Sequence, residues 1–181
     1  MGELYNVLSE VLDPNRLNRS IRRISHEILE RNATNLRGLA IVGTLTRGVP
    51  LARRIAENLR SFEGLDVPVG SLDITRHRDD LEGDEPVVGK SHVPFEVAGK
   101  TILLVDDVLY TGRTARAGME ALLELGRPAA IQLAVLVDRG HRELPVRADY
   151  VGKNIPTAPD ERVLVKLEET DGEDGVITVG N

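Results

Sequence analysis

The chain reads as an α/β protein with a central, mostly parallel sheet flanked by helices. Short apolar runs alternate with amphipathic helical stretches along most of its 181 residues. Loops bearing Gly, Thr, Arg or Asp follow three of those runs, at 43–48, 106–114 and 138–143. In open sheets of this kind, ligands bind beyond the carboxyl ends of the strands, so the three loops should converge. The length suits a single domain, 1–181, with a substantial core.

Each element has a local reason. Residues 7–12 are partly apolar and read as an edge strand. Asp13 and Pro14 supply an N-cap and a first-turn proline, opening a helix to about Arg31. Leu17, Ile21, Ile24 and Ile28 form its apolar stripe. Arg19, Arg22, Arg23 and His26 cluster in an arc of roughly 100° nearly opposite that stripe. A solvated surface is one reading of this ridge and an anion-binding face is another. Glu27 and Glu30 can offset part of its charge.

A second apolar run, 39–42, leads into Gly43-Thr44-Leu45-Thr46-Arg47-Gly48 and then a helix over 49–61. Thr46 and Arg47 suit a phosphate group, although a plain strand-to-helix turn fits too. Residues 67–74 predict a strand. The stretch 76–93 is charged, Gly- and Pro-bearing and without period, as a lid or a surface excursion would be. Beyond the central strand, a helix should run to Leu125, capped by Gly126 and stopped by Pro128. A strand over 131–137 follows, then short strands at 148–151, 163–167 and 176–179. The acidic segment 168–175 reads as exposed.

The central stretch, TILLVDDVLYTGRT over 101–114, carries the chemistry. An apolar strand at 102–105 ends in Asp106 and Asp107, and a Thr/Gly turn opens a helix. Backbone N–H groups and the helix dipole favour an anion there. Gly112 allows close backbone approach, and Thr111 and Thr114 add hydroxyl donors. The two carboxylates suit ribose hydroxyls or Mg²⁺, a hard cation that prefers oxygen. A P-loop would need Lys-Ser/Thr after Gly48, where Val49-Pro50 stands, and there is no G-x-G-x-x-G.

Composition narrows the classes further. There are no cysteines, so disulfides and thiolate metal sites are excluded, and the four histidines lack metal-ligand spacing. No apolar run reaches a membrane span, and the first residues lack signal-peptide character, so a cytoplasmic location is expected. The net charge of −6 argues weakly against indiscriminate nucleic-acid binding, because screening lets a local basic face act alone.

VDDVLYTGRT resembles the phosphoribosyl-pyrophosphate (PRPP) motif of type I phosphoribosyltransferases. The resemblance extends through ARAGMEALLELGRPAAIQLAVLVDRGHRELPVRADYVGKNIPT, with RISHEILERN, LTRG and DITRHRDDL in matching order. It covers most of 17–157 and is strongest to the pyrimidine-operon attenuation regulators of that family. It implies the type I phosphoribosyltransferase fold, with a small hood and a flexible lid loop. It also implies a UMP-responsive protein that binds a leader-mRNA hairpin, promotes transcription termination and makes UMP and pyrophosphate from uracil and PRPP. A salvage nucleobase phosphoribosyltransferase without RNA binding is the alternative; a nucleotide-binding regulator without the chemistry is a third reading.

Carried over by residue, the resemblance assigns Asp106 and Asp107 to the ribose hydroxyls and to Mg²⁺, the metal being held mainly through substrate and water. The PRPP- and UMP-binding run continues through Val108, Leu109, Tyr110, Thr111, Gly112, Arg113 and Thr114, the last four cradling the 5′-phosphate. Thr46 and Arg47 would meet pyrophosphate and Arg78 would close over it. The backbone near Val137 and Arg139 would read uracil. Arg19, Arg22, Arg23, His26, Arg31, Arg142, Arg147 and Lys153 would bind RNA. A homodimer or homotetramer is implied. Leu45, Arg22, Arg76 and His77 depart from common family residues, and Leu45 removes a cation near pyrophosphate.

Overall fold

The computed structural model describes residues 6–79 and 89–180. The expected lid therefore lies in part, over 80–88, outside the described residues. Among the described residues, eight strands form two sheets. β2 (Leu39–Thr44), β3 (Val69–Leu72), β4 (Thr101–Leu109), β5 (Ala130–Asp138) and β6 (Tyr150–Asn154) make a parallel sheet in the order β3-β2-β4-β5-β6. β1 (Asn6–Leu12), β7 (Arg162–Lys166) and β8 (Gly175–Gly180) make a separate antiparallel sheet, with β8 central.

The parallel sheet is covered as its sequence pattern requires. α1 (Pro14–Arg31) and α2 (Gly48–Glu63) place Leu17, Ile21, Ile24, Ile28, Leu51, Ile55 and Leu59 against one face, with Leu103 and Val105 of β4. α3 (Arg113–Leu125) places Ala117, Ala121 and Leu122 against the other, with Ile102 and Leu104. Successive strand residues point to opposite faces, so the uninterrupted run at 102–105 serves both layers. The Asp13 carboxylate caps α1 by accepting from the Arg16 amide at 2.8 Å.

Several boundaries move. The central strand runs on to Leu109, so Asp106 and Asp107 lie within β4 rather than beyond it; pairing with β5 continues as far as Leu109 and Asp138. β3 is shorter than 67–74, and β6 begins later than 148. The residues at 7–12 and 176–179 are indeed strands, but they pair with each other outside the main sheet. The acidic segment is exposed over 168–173, as expected, and it is also ordered. It forms α4 (Glu168–Asp171), whose carboxylates reach two arginines of the main domain face. Charge patterning along one chain could not reveal those partners.

Candidate functional site

The chain order reverses between β2 and β4. α2 carries the chain outward from β2 to β3, and the chain then returns across β2 to β4. A crevice opens at such a switch point. Here it is a cleft of about 570 Å³ lined by Thr46, Arg47, Asp73, Thr75, Asp106, Asp107 and Thr114, among others. A second hollow of about 220 Å³ adjoins it, lined by Arg78, the run from Val108 to Ala115, and Glu143. Arg78 lines both.

The acidic pair is divided by burial. Asp106 is 8% exposed and accepts from the Thr44 hydroxyl at 2.7 Å and from the Asp107 amide at 3.0 Å. Asp107 is half-buried and accepts from the Val108 amide at 2.8 Å. Burial first, and the neighbouring Asp107 charge second, push the Asp106 carboxyl well above its ordinary range, to about 7. Its hydrogen bonds from Thr44 and the Asp107 amide oppose that rise without cancelling it.

This raised value has a definite sign. The folded state binds the extra proton between about pH 4 and 7, so the contribution of this one group to stability is fullest below pH 4 and is lost as pH rises through 7. Asp106→Asn should therefore unfold at a higher temperature than the wild type at pH 8, by on the order of 2 kcal/mol in stability. The advantage should vanish near pH 4, as thermal melts across that range would read. A variant less stable than wild type at pH 8 would show that the ionised carboxylate is net stabilising.

The anion cradle lies at the start of α3. Gly112 is its N-cap with φ 95°, and a Cβ there would come within 3.3 Å of the Val146 Cβ, so both backbone and space call for glycine. The Thr111 hydroxyl accepts from the Arg113 amide at 3.3 Å, shaping the turn. The Thr111 carbonyl accepts from the Glu143 and Leu144 amides, which ties the loop after β5 to the cradle. On the opposite wall, the Leu45–Thr46 peptide is cis. Gly48 then packs so closely that a Cβ would lie 2.4 Å from the Val105 carbonyl oxygen.

The structure brings Thr46, Arg47, Asp106, Asp107, Val108 and Thr114 into one cleft, and Tyr110, Thr111, Gly112 and Arg113 into the adjoining hollow. The cations there already have partners. Arg47 pairs with Asp171, and Arg113 with both Asp79 and Glu143. Val137 is buried within β5. Arg139 is 7% exposed: its guanidinium donates to the Thr157 hydroxyl and the Glu161 carbonyl and lies 4.0 Å from the Tyr110 ring centroid. Its side chain is thus a strut, and its backbone amide donates to the Leu109 carbonyl at 3.0 Å. Beside it, Asp138, Arg142, Arg147, Asn154 and Ile155 line a further hollow of about 430 Å³.

The basic residues outside the cleft differ in freedom. Arg19, Arg22, Arg23, His26 and Arg31 are all exposed along α1. His26 stacks on Phe62 with ring centroids 4.1 Å apart, and Arg22 lies 4.7 Å over the same ring. Arg23 donates to the Gly152 carbonyl at 2.6 Å and pairs with Glu27, while Arg31 pairs with Asp149. Arg142 is spent locally, donating to the carbonyls of Tyr110, Gly140 and Val146 and to Asp138. Arg147 and Lys153 are exposed. Sequence reasoning missed Thr44, Asp79, Glu143, Phe62 and Asp171. Thr44 alone left a trace, as a hydroxyl closing a buried apolar run.

Among the described residues no group of three or more His, Cys, Asp or Glu could cage a metal. A pair of carboxylates facing a polar cleft does fit Mg²⁺ that keeps most of its ligands from water and a phosphorylated substrate. An acidic strand end, a helix start that favours an anion and a crevice between them make a polar cleft suited to a phosphorylated, hydroxyl-bearing ligand.

Comparison with known proteins agrees. The phosphoribosyl transferase domain family matches residues 7–169. The chain is 57% identical to the bifunctional protein PyrR of Chloroflexus aurantiacus over 170 residues, 93% of each chain. It is 59% identical to that of Thermus aquaticus over 170 residues, again 93% of each. Against that of a Roseiflexus species it is 58% identical over 182 aligned residues, 99% of this chain and 96% of the other. A solved Trypanosoma cruzi hypoxanthine phosphoribosyl transferase matches with a TM-score of 0.75 at 20% identity, covering 100% of this chain and 94% of that one, a likeness of fold alone. The chain belongs to the type I phosphoribosyltransferase family, in its PyrR branch.

Proposed function

We propose that this chain is a UMP-responsive regulator of pyrimidine-operon attenuation that also converts uracil and PRPP to UMP and pyrophosphate. The observation that carries the catalytic half is the shared cleft: the acidic strand end, Arg47, Arg78 and Thr114 line one space, continuous in sequence with the Gly112 cradle. Asp106 and Asp107 accept from the ribose hydroxyls. The α3 N-terminus, with Thr111, Gly112, Arg113 and Thr114, binds the 5′-phosphate. Thr46 and Arg47 receive the pyrophosphate, with Arg78 above it. The backbone by Val137 and Arg139 reads the uracil edge.

A ring nitrogen of uracil forms the bond to C1 of the ribose as the bond to the pyrophosphate oxygen breaks, and the nitrogen's proton leaves to solvent. Positioning and charge stabilisation carry the reaction, with no strong base required. Mg²⁺ bound with the substrate would neutralise the pyrophosphate charge. Leu45 stands where a cation would add to that, so turnover should be modest.

The RNA half rests on the exposed cations of α1 and their continuation. Arg23 reaches the edge strand β6, which carries Lys153, and Asn154 of that strand shares a hollow with Arg142 and Arg147. Arg19, Arg22, His26 and Arg31 complete the face. RNA hairpins are read by shape and by splayed bases stacked on flat side chains. With two Phe, three Tyr and no Trp, arginine must supply much of that stacking, and the Arg22–Phe62–His26 stack is a ready platform. A cytoplasmic homodimer or homotetramer of this single domain, 1–181, is part of the same reading.

The test is binding to a pyrimidine-leader hairpin beside a scrambled one, each with and without UMP. Tight binding to the leader alone, strengthened by UMP, is expected. Equal weak binding to both, insensitive to UMP, would leave a salvage phosphoribosyltransferase.

A further inference from the structure

The acidic helix α4 is fastened to α2 by two arginines, and the two contacts differ in what they hold. Arg54 donates to Glu169 at 2.6 and 2.8 Å and to Asp174 at 2.7 and 2.8 Å, anchoring both ends of the acidic segment. Arg47 donates from Nη2 to Asp171 Oδ1 at 2.7 Å and from Nε to Oδ2 at 3.2 Å. This uses the Nε–Nη2 edge of the guanidinium, one of the two edges with which arginine can grip a pair of phosphate oxygens. Arg47 lines the cleft and is the cation assigned to pyrophosphate. A pyrophosphate oxygen pair and Asp171 therefore seek the same donors.

The geometry also shows how the carboxylate could give way. Asp171 Oδ2 accepts from the Leu167 amide at 2.9 Å and from the Thr170 hydroxyl at 2.7 Å, so it remains solvated by its own turn when Arg47 leaves. The Arg54 contacts keep the segment tethered, while the turn at 170–172, released by Arg47, loosens. Burial works against ionisation of Asp171, but Arg47, the Leu167 amide and the Thr170 hydroxyl outweigh it and hold its carboxyl down to about 2, so the competitor is charged at any physiological pH.

We propose that Asp171 is a built-in competitor for Arg47: it occupies the pyrophosphate-binding edge of the guanidinium in the free and UMP-bound protein, is displaced by the pyrophosphate group, and so sets the affinity of that subsite. The proposal rests on the phosphoribosyl-transfer reading. Asp171 does not touch substrate; it acts through Arg47. It lowers affinity for PRPP and pyrophosphate, which favours product release, and it leaves the 5′-phosphate and uracil subsites untouched. Two like charges a few ångströms apart repel, so the effect on affinity is on the order of tenfold.

The experiment is calorimetric titration of the full chain with magnesium pyrophosphate and, separately, with UMP. Asp171→Asn keeps the shape and the acceptor oxygen but removes the charge. It should bind pyrophosphate about tenfold more tightly than wild type, with UMP affinity within about twofold. Unchanged or weaker pyrophosphate binding overturns the proposal, weaker binding marking Asp171 as a support that orients Arg47. A chain that binds no pyrophosphate with either residue at 171 overturns both this proposal and the transfer reading. Hydrogen exchange on the wild type gives a measurement independent of the variant's folding. Magnesium pyrophosphate should speed exchange of the Thr170, Asp171 and Gly172 amides, and UMP should not. Protection by pyrophosphate, or no change, overturns the competition.

Discussion

Replacing both acids, Asp106→Asn with Asp107→Asn, should lower kcat/KM for uracil and PRPP by about a thousandfold or more while leaving the chain folded. The loss follows from what the carboxylates do. In the proposed site the two carboxylates at the end of β4 accept from the ribose hydroxyls and attract the metal that travels with pyrophosphate, whose charge favours the ionised form of Asp106; two neutral amides do neither well. Folding should survive because the amide oxygen at 106 can still accept from the Thr44 hydroxyl and the Asp107 backbone amide, now made at 2.7 and 3.0 Å. Removing the buried charge of Asp106 also relieves its desolvation and its repulsion by Asp107. Steady-state kinetics beside a thermal melt reads both quantities. A double variant of near-normal activity would refute the role of the pair, and an unfolded one would point to a structural role.

Affinity for the leader hairpin should fall about a thousandfold between 50 and 200 mM salt, the response expected when about six phosphates are neutralised. Arg19, Arg22, Arg23, His26 and Arg31 of α1, with the exposed Arg147 and Lys153, are enough for that number. Arg142 should contribute least to the slope, because its donors are already satisfied by Asp138 and three backbone carbonyls. Arg22→Ala should cost more than one phosphate contact, since it also takes the cation from the Phe62 face. Binding measured over a salt series for wild type, Arg22→Ala and Arg142→Ala separates these effects. A flat salt response in the wild type would remove the basic face from the RNA reading altogether.

The fold and the acidic cradle were legible because their determinants are local in sequence. The apolar stripe of Leu17, Ile21, Ile24 and Ile28, the apolar run at 102–105 and the Gly/Thr turn each state their own secondary structure and which face is buried. The convergence of three loops followed from the rule that strands of a parallel sheet present their carboxyl ends to one side. The resemblance of VDDVLYTGRT then attached a ligand to that convergence.

What stayed hidden are pairings across distance. Asp171 meets Arg47 across 124 positions, and Arg54 meets Glu169 across 115. No periodicity connects such residues, so the acidic segment was legible as exposed, which it is over 168–173, while its arginine partners were not. The roles of Arg139 and Arg142 were equally out of reach. A run of charged residues after a strand suggests ligand contact, but only the packed loop shows one guanidinium buried under Tyr110 and the other holding four acceptors.

The division follows from the physics. Hydrophobic periodicity and turn chemistry act between neighbours and so are written along the chain: they set the α/β class, the core faces and the position of the anion cradle. The state of each charge depends on which opposite charge and how much solvent lie within a few ångströms in the folded molecule. Tertiary structure alone could decide that Asp106 is buried beside Thr44, that Arg47 is shared between the cleft and α4, and that Arg142 is held by Asp138 and three backbone carbonyls.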